Sequence, residues 1–278
     1  MPARSTITPI EDRTPHSIVG ASQFDITSAE AGRYRIYLYI PPLPAPARGF
    51  PILYLLDGNA TFATAADAVA LQMRRPEATG VAASVIAGVG YPVDTPLDME
   101  RRRFDYTPPK MGALAGSGSG GAAQFWNFIE TQLKPTMETI VPIDRGRQAL
   151  FGHSFGGLFA LWALFARSGG FQAYAAASPS IWWDDECILA YESAFAARAR
   201  QGIVDEARVL LTVGSLEHRS KAKISADGTT DMVKDVTSMA QRLGSLAPDR
   251  LRVKSFVFGD ENHASVVPAA ISRSLRFV

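Results

Sequence analysis

Between Ala149 and Phe165 the chain runs from an apolar triplet, Ala149-Leu150-Phe151, through Gly152-His153-Ser154-Phe155-Gly156-Gly157, into a continuous apolar segment from Leu158 to Phe165. That pattern reads as a strand, a very tight turn and a helix, with a serine at the apex. Such a turn crowds backbone against backbone, so only residues without a Cβ fit on either side of the serine. The same geometry lifts the hydroxyl above the sheet, within reach of a substrate carbonyl. The pentapeptide alone is a common pattern, and its flanks and the downstream chain must give it meaning.

The downstream chain is regular. Strand patterns at Phe171–Ala177, Arg208–Val213 and Leu251–Phe258 alternate with helical ones at Glu186–Ala199, about Asp231–Leu243 and Val266–Leu275. This alternation predicts right-handed crossovers and a mostly parallel sheet. Upstream, Pro51–Leu56 and Ala82–Val89 read as buried strands, with an Ala-rich helix over 61–75 between them. Phe24–Thr27 and Tyr34–Ile40 alternate with period 2 around Ala31-Gly32, which predicts an antiparallel edge hairpin. Phe125–Ile140 reads as a helix that Pro135 kinks or splits. The polar stretch from Val93 to Gly121 ends in the glycine-serine run Gly116–Gly121, and reads as an irregular segment that borders an active site or is disordered.

Composition sets limits on function. Hydrophobic residues make up 47% of 278, enough for one large α/β core or two small ones. A formal net charge of +1 gives no reason to expect nucleic acid or an anionic membrane as partner. Arg101-Arg102-Arg103 is balanced by Asp98, Glu100 and Asp105. The single cysteine, Cys187, excludes an intramolecular disulfide and reads as a buried bystander. The first residues have no apolar signal-peptide core, and no stretch is long and apolar enough to span a membrane, so the expected location is cytoplasmic.

A serine hydroxyl is a weak nucleophile at neutral pH and needs a base, which works best when an acid orients it. Where a serine occupies a strand-to-helix elbow of this kind, the acid and the histidine follow in that order. Glu217 follows the second strand after Ser154, in Gly214-Ser215-Leu216-Glu217-His218, and His263 follows the third, in Gly259-Asp260-Glu261-Asn262-His263. Asp227, Asp231 and Asp260 compete with Glu217 for the acid. The backbone N–H of Phe155 is one expected oxyanion donor, and that of Gly58 or Asn59, after the Pro51–Leu56 strand, is the other. His153, His218 and Asp185 match no metal-ligand spacing, and no phosphate-binding glycine loop occurs, so neither metal nor cofactor is expected. Trp182 and Trp183 are candidates for an aromatic substrate wall, with core packing as the competing reading. Phe125-Trp126 and Arg102-Arg103 flank the long loop. They are candidates for its entrance, where the arginines would attract an acidic substrate unless they form a solvated face.

Four blocks, Tyr54-Leu55-Leu56-Asp57-Gly58-Asn59, Gly152–Gly157, Ala177-Ser178-Pro179-Ser180-Ile181-Trp182-Trp183 and Glu261-Asn262-His263, together resemble the putative-esterase family of α/β-hydrolases, which includes siderophore esterases. The resemblance implies cofactor-free hydrolysis of carboxylic esters through Ser154 and His263. Siderophore trilactones or other small acyl and aryl esters would be the substrates. In some members the active unit is described as a Ser–His dyad, which leaves the part of Glu217 open. The expected architecture is an irregular lead-in over residues 1–20 and a single α/β-hydrolase domain over 21–278. An acyltransferase of the same fold and a non-catalytic binding protein remain the alternatives.

Overall fold

A computed structural model of the chain describes residues 16–112, 118–218 and 231–278. Most of the N-terminal lead-in, Gly116 and Ser117 of the glycine-serine run, and Asp227 lie outside the described residues. The strands are β1 (Ala21–Ser28), β2 (Gly32–Tyr39), β3 (Phe50–Leu56), β4 (Val85–Gly90), β5 (Ile143–His153), β6 (Ala173–Ala177), β7 (Ala207–Gly214) and β8 (Leu251–Phe258). They form one sheet in the order β1-β2-β4-β3-β5-β6-β7-β8. The β1–β2 and β2–β4 pairs are antiparallel, and every pair from β4 through β8 is parallel. The expected hairpin therefore forms the edge, and the elbow strand β5 lies at the centre.

The helices are α1 (Gly58–Gln72), α2 (Pro76–Thr79), α3 (Met99–Tyr106), α4 (Ala122–Phe128), α5 (Lys134–Ile140), α6 (Phe155–Ala166), the single turn α7 (Trp183–Glu186), α8 (Ile188–Arg200), α9 (Met232–Leu246) and α10 (Val266–Ser274). Two cores result, one on each face of the sheet. Alternate residues of β3 show the division: Leu53 and Leu55 pack with α1 and α10, whereas Ile52, Tyr54 and Leu56 pack with the larger layer that contains α4, α6, α8 and α9. Every residue of α6 from Gly156 to Phe165 is buried, so its apolar run has no polar face to show. The outer helix α9 instead buries a single stripe, Met232, Val233, Val236, Met239, Ala240 and Leu243, and starts where the Asp231 side chain accepts from the Lys234 N–H at 3.0 Å.

Three features differ from expectation or refine it. Pro135 does split the helix predicted over Phe125–Ile140. A π-helical turn at Ile129–Leu133 separates α4 from α5, and the Lys134 N–H reaches back five residues to the Ile129 carbonyl. Proline has no N–H for the carbonyl four residues earlier and crowds it, and the widened turn relieves that conflict. The elbow strand is longer than its apolar triplet, because its first half, Ile143–Arg147, is mostly polar and buries only Asp144.

The third difference is α3, which lies inside the stretch expected to be irregular. Its inward face carries Arg102, Asp105 and Tyr106 rather than aliphatic residues, so no apolar period announces it. The two charges are satisfied internally. Arg102 forms a two-pronged pair with Asp57, Nε–Oδ1 and Nη2–Oδ2 both at 2.9 Å. Asp105 accepts from the hydroxyls of Tyr34 and Tyr91 at 3.0 Å each. Burial pushes the Asp105 carboxyl up to about 6 against the opposing effect of Arg101, whose guanidinium lies over both tyrosine rings.

Candidate active site

Ser154 is the junction of β5 and α6, with φ 60° and ψ −117°. A non-glycine residue in that region costs on the order of 1–3 kcal/mol. Its N–H donates to the Ala177 carbonyl at 3.0 Å and its carbonyl accepts from the N–H groups of Leu158 and Ser180, so the surroundings hold it there. Asp57, Ser178 and Asp260 also have positive φ and stand at the C-terminal ends of β3, β6 and β8. Strained backbone thus marks one end of the sheet.

Crowding at the elbow differs in one detail from the sequence reading. A Cβ on Gly152 would run into the backbone of Gly156, and one on Gly157 would sit 2.9 Å from the Ala177 carbonyl oxygen and 3.0 Å from the Pro179 Cα. A Cβ on Gly156 would find ordinary contacts, 3.4 Å to Leu56 at the nearest. Gly152 and Gly157, rather than Gly156, set the clearance. Gly152→Ala should accordingly cost more than about 3 kcal/mol of stability or prevent folding, whereas Gly156→Ala should stay within about 1 kcal/mol, as read by urea denaturation. Equal losses would contradict this packing.

The chain folds Glu217 and His263 against the same end. His263 Nδ1 lies 2.6 Å from Glu217 Oε2, with the carboxylate nearly buried and the imidazole about half exposed. The other oxygen, Oε1, accepts from Ser178 Oγ and from the Gly214 N–H, both at 2.7 Å. Burial alone would raise the Glu217 pKa, but His263, the Gly214 N–H and the Ser178 hydroxyl together hold it below the usual carboxylate range. Glu217 therefore stays ionised, and Nδ1 carries the proton that faces it.

The two loops that carry these residues are laced together. The Ser215 N–H donates to the Phe258 carbonyl, the Leu216 N–H to that of Glu261, and the Asp260 N–H to Ser215 Oγ. Asn262 Oδ1 accepts from the N–H groups of Ala264 and Ser265, which fixes the entry to α10 directly after His263.

Of the competing acids, Asp231 caps α9 and pairs with His218, and Asp260 is exposed, with its backbone N–H donated to Ser215 Oγ. His153 closes β5 with its ring 4.5 Å from that of His263, which brings His263 beside the elbow. Its Nε2 is buried without a partner among the described residues. Burial, and then the neighbouring His263, push its pKa down to about 3, so His153 is neutral at working pH. The folded state then binds fewer protons than the unfolded chain between about pH 6.5 and 3, so stability falls as pH falls through that window. His153→Gln should lose about 2 kcal/mol less than the parent between pH 7 and pH 4.5 in urea titrations. An unchanged acid sensitivity would remove His153 as its source.

Phe155, Gly58 and Asn59 occupy first-turn positions of α6 and α1, where backbone N–H groups have no helical acceptor. The side chain of Asn59 is already engaged, donating to Tyr91 and Val93 and accepting from the Tyr91 N–H, which leaves only its backbone for other work. Trp182 and Trp183 are half-buried beside the elbow, at 6.1 and 4.9 Å from the Phe155 ring.

Trp126 and Arg102 fall elsewhere than the entrance. Trp126 is buried edge-on against Trp162 and Phe171, toward the opposite end of the sheet. Arg102 is 4% exposed in its pair with Asp57, beneath the Phe155 ring, so it is neither an open anion lure nor a solvated side chain. Its partner Asp57 outweighs the effect of burial and keeps the guanidinium firmly charged.

Sequence reasoning missed Ser178, Ser180 and the structural role of Asp57. Ser180 Oγ lies 3.3 Å from Ser154 Oγ, and both Ser178 and Ser180 are buried. Their position directly after the strand between β5 and β7 was the available signal.

The sheet order and the serine at the β5–α6 elbow define an α/β-hydrolase fold. The chain belongs to the esterase family described as "Putative esterase", whose family model matches residues 28–247. It is 37% identical to the ferri-bacillibactin esterase BesA of Bacillus subtilis over 88% of this chain and 84% of that protein. Its identity to the siderophore triacetylfusarinine C esterase of Aspergillus fumigatus is 34%, over 94% of each. Among solved structures, the BES protein from Bacillus cereus superposes with a TM-score of 0.85 at 39% identity, over 98% of both chains. No described helix is long and apolar enough to cross a membrane.

Proposed function

We propose that the protein hydrolyses carboxylic esters through an acyl-enzyme on Ser154, and that its substrates are siderophore esters. The observation that carries the mechanism is the 2.6 Å contact between His263 Nδ1 and the buried carboxylate of Glu217, next to a serine on a strained elbow. With Nδ1 protonated, Nε2 is free to accept a proton. In the free protein the Ser154 hydroxyl has Ser180 as its neighbour at 3.3 Å, a long hydroxyl–hydroxyl contact that is readily exchanged for one to His263.

Ser154 Oγ attacks the ester carbonyl carbon while its proton passes to His263 Nε2. The negative oxygen of the tetrahedral intermediate is held by the Phe155 N–H and by that of Gly58 or Asn59. The C–O bond then breaks and the alcohol leaves with the proton from His263. Water, deprotonated by the same imidazole, attacks the acyl carbon, and the bond to Ser154 Oγ breaks as His263 returns the proton to that oxygen, releasing the acid. Glu217 stabilises the imidazolium in both halves.

The substrate assignment rests on the relatives named above and on Phe155, Trp182 and Trp183, which present an aromatic surface next to the serine. A screen of ferric siderophore esters, short-chain acyl esters and aryl esters, read by mass spectrometry of the products, tests it. Turnover of a siderophore ester to linear fragments, faster than that of simple acyl esters, is expected. Hydrolysis of simple esters alone would overturn the substrate class, and transfer of the acyl group to an added alcohol in preference to water would overturn hydrolysis.

A further inference from the structure

On the face that carries α10, away from the elbow, Arg208, Arg252, Lys254, Arg273 and Arg276 converge on a groove of ≈ 260 Å³ floored by Phe256 and Phe277. Strand register brings three of them together. Arg208 on β7 is the direct neighbour of Arg252 on β8, and Leu210 and Thr212 are the neighbours of Lys254 and Phe256 on the same face. Among the described residues, no Asp or Glu side chain lines the groove and none of these five cations takes part in an ion pair. Glu206 and Asp249 line an adjoining depression but form no ion pair with Arg208 or Arg252.

Like charges side by side on adjacent strands destabilise a sheet, and a half-buried cation without a counter-ion adds to the cost. Burial, then Arg147 and Arg252, lower the pKa of Arg208, a further expression of that cost. Protection of an exposed edge strand accounts for Arg252 and Lys254 on β8. It does not account for Arg208 on the inner strand, nor for Arg273 and Arg276 reaching in from α10 and the turn after it. The Arg273 guanidinium lies 4.4 Å from the centre of the Phe256 ring, a cation–π contact at the groove. Guanidinium groups can match oxyanions in a two-pronged fashion.

We propose that this groove binds a small anion carrying two or more oxyanion groups, as in a diphosphate or a tricarboxylate. Its volume suits a small molecule, and a whole-chain net charge of only +1 does not suit a general polyanion binder.

Isothermal titration of the full chain with inorganic pyrophosphate and, separately, with citrate, in a phosphate-free buffer of low ionic strength, tests the assignment. Saturable one-to-one binding is expected for at least one of them, with a rise in melting temperature of a few degrees at saturation. Which of the two binds distinguishes a phosphate from a carboxylate ligand. The double variant Arg252→Gln, Lys254→Gln changes two exposed side chains and should weaken binding at least ~10-fold, with ester turnover in the absence of the anion unchanged. Arg273→Gln should do the same from the helix side. No saturable binding up to about 10 mM would overturn the proposal, as would equal binding by the variants. Affinity only for long polyanions such as heparin, growing with their length, would also overturn it.

Discussion

Replacing Ser154 by Ala is expected to lower kcat for a p-nitrophenyl ester by on the order of 10⁴–10⁶-fold and to leave the fold intact. The size follows from the role: without the hydroxyl no acyl-enzyme forms, and only oxyanion donors and binding remain to speed direct attack by water. The fold should persist because Ser154 is held by its backbone, through Ala177, Leu158 and Ser180, and not by its hydroxyl. A second variant separates chemistry from strain. Ser154→Gly should be equally inactive yet as stable as the parent or more so, because glycine adopts φ 60° without the penalty serine bears. Retained activity in either variant would remove Ser154 as nucleophile.

The second large effect is expected at Glu217. Glu217→Gln should lower kcat/KM by on the order of 10²–10⁴-fold, because an amide neither stabilises the imidazolium nor enforces the tautomer with its proton on Nδ1. Glu217→Ala should in addition destabilise by about 2–4 kcal/mol, since the Ser178 hydroxyl and the Gly214 N–H, both buried, lose their shared acceptor. The depressed pKa of Glu217 gives the pH sense. Its contribution to stability is present above the ordinary carboxylate range and is lost as pH falls through its folded value, so Glu217→Ala should flatten the acid limb of the stability profile. A near-normal rate in Glu217→Gln, with only stability affected, would mean that Ser154 and His263 work as a dyad and that Glu217 is a structural brace.

Much of the architecture was legible because it obeys period. The second half of the chain alternates strand and helix, each with an apolar pattern of its own, and the edge hairpin alternates in the period-2 way. α3 was hidden because its buried face is built from Arg102, Asp105 and Tyr106, whose burial depends on partners far off in sequence: Asp57, Tyr34 and Tyr91. The same blindness produced the misplacement of Arg102, since nothing local shows that a charged side chain has a buried counter-ion 45 positions earlier. Trp126 was hard for a different reason. An aromatic residue at a helix start looks the same whether its ring faces a cleft or a neighbouring helix, and only the packing of Trp162 and Phe171 decides.

The candidate site was proposed from position. Ser154, Glu217 and His263 each follow a strand, and parallel strands deliver such residues to one end of a sheet. The supporting residues were not. Ser178 and Ser180 are ordinary polar residues until β6 is set between β5 and β7, and Gly157 is an ordinary glycine until the turn after β6 is laid against it.

The central claim is that the Ser154 hydroxyl is the nucleophile, activated by His263. Labelling the intact protein with a fluorophosphonate, followed by mass measurement and peptide mapping, addresses it directly. A single adduct on Ser154 is predicted, absent from Ser154→Ala and formed far more slowly in His263→Ala. No adduct in the parent protein, or an adduct on another residue that persists in Ser154→Ala, would contradict it.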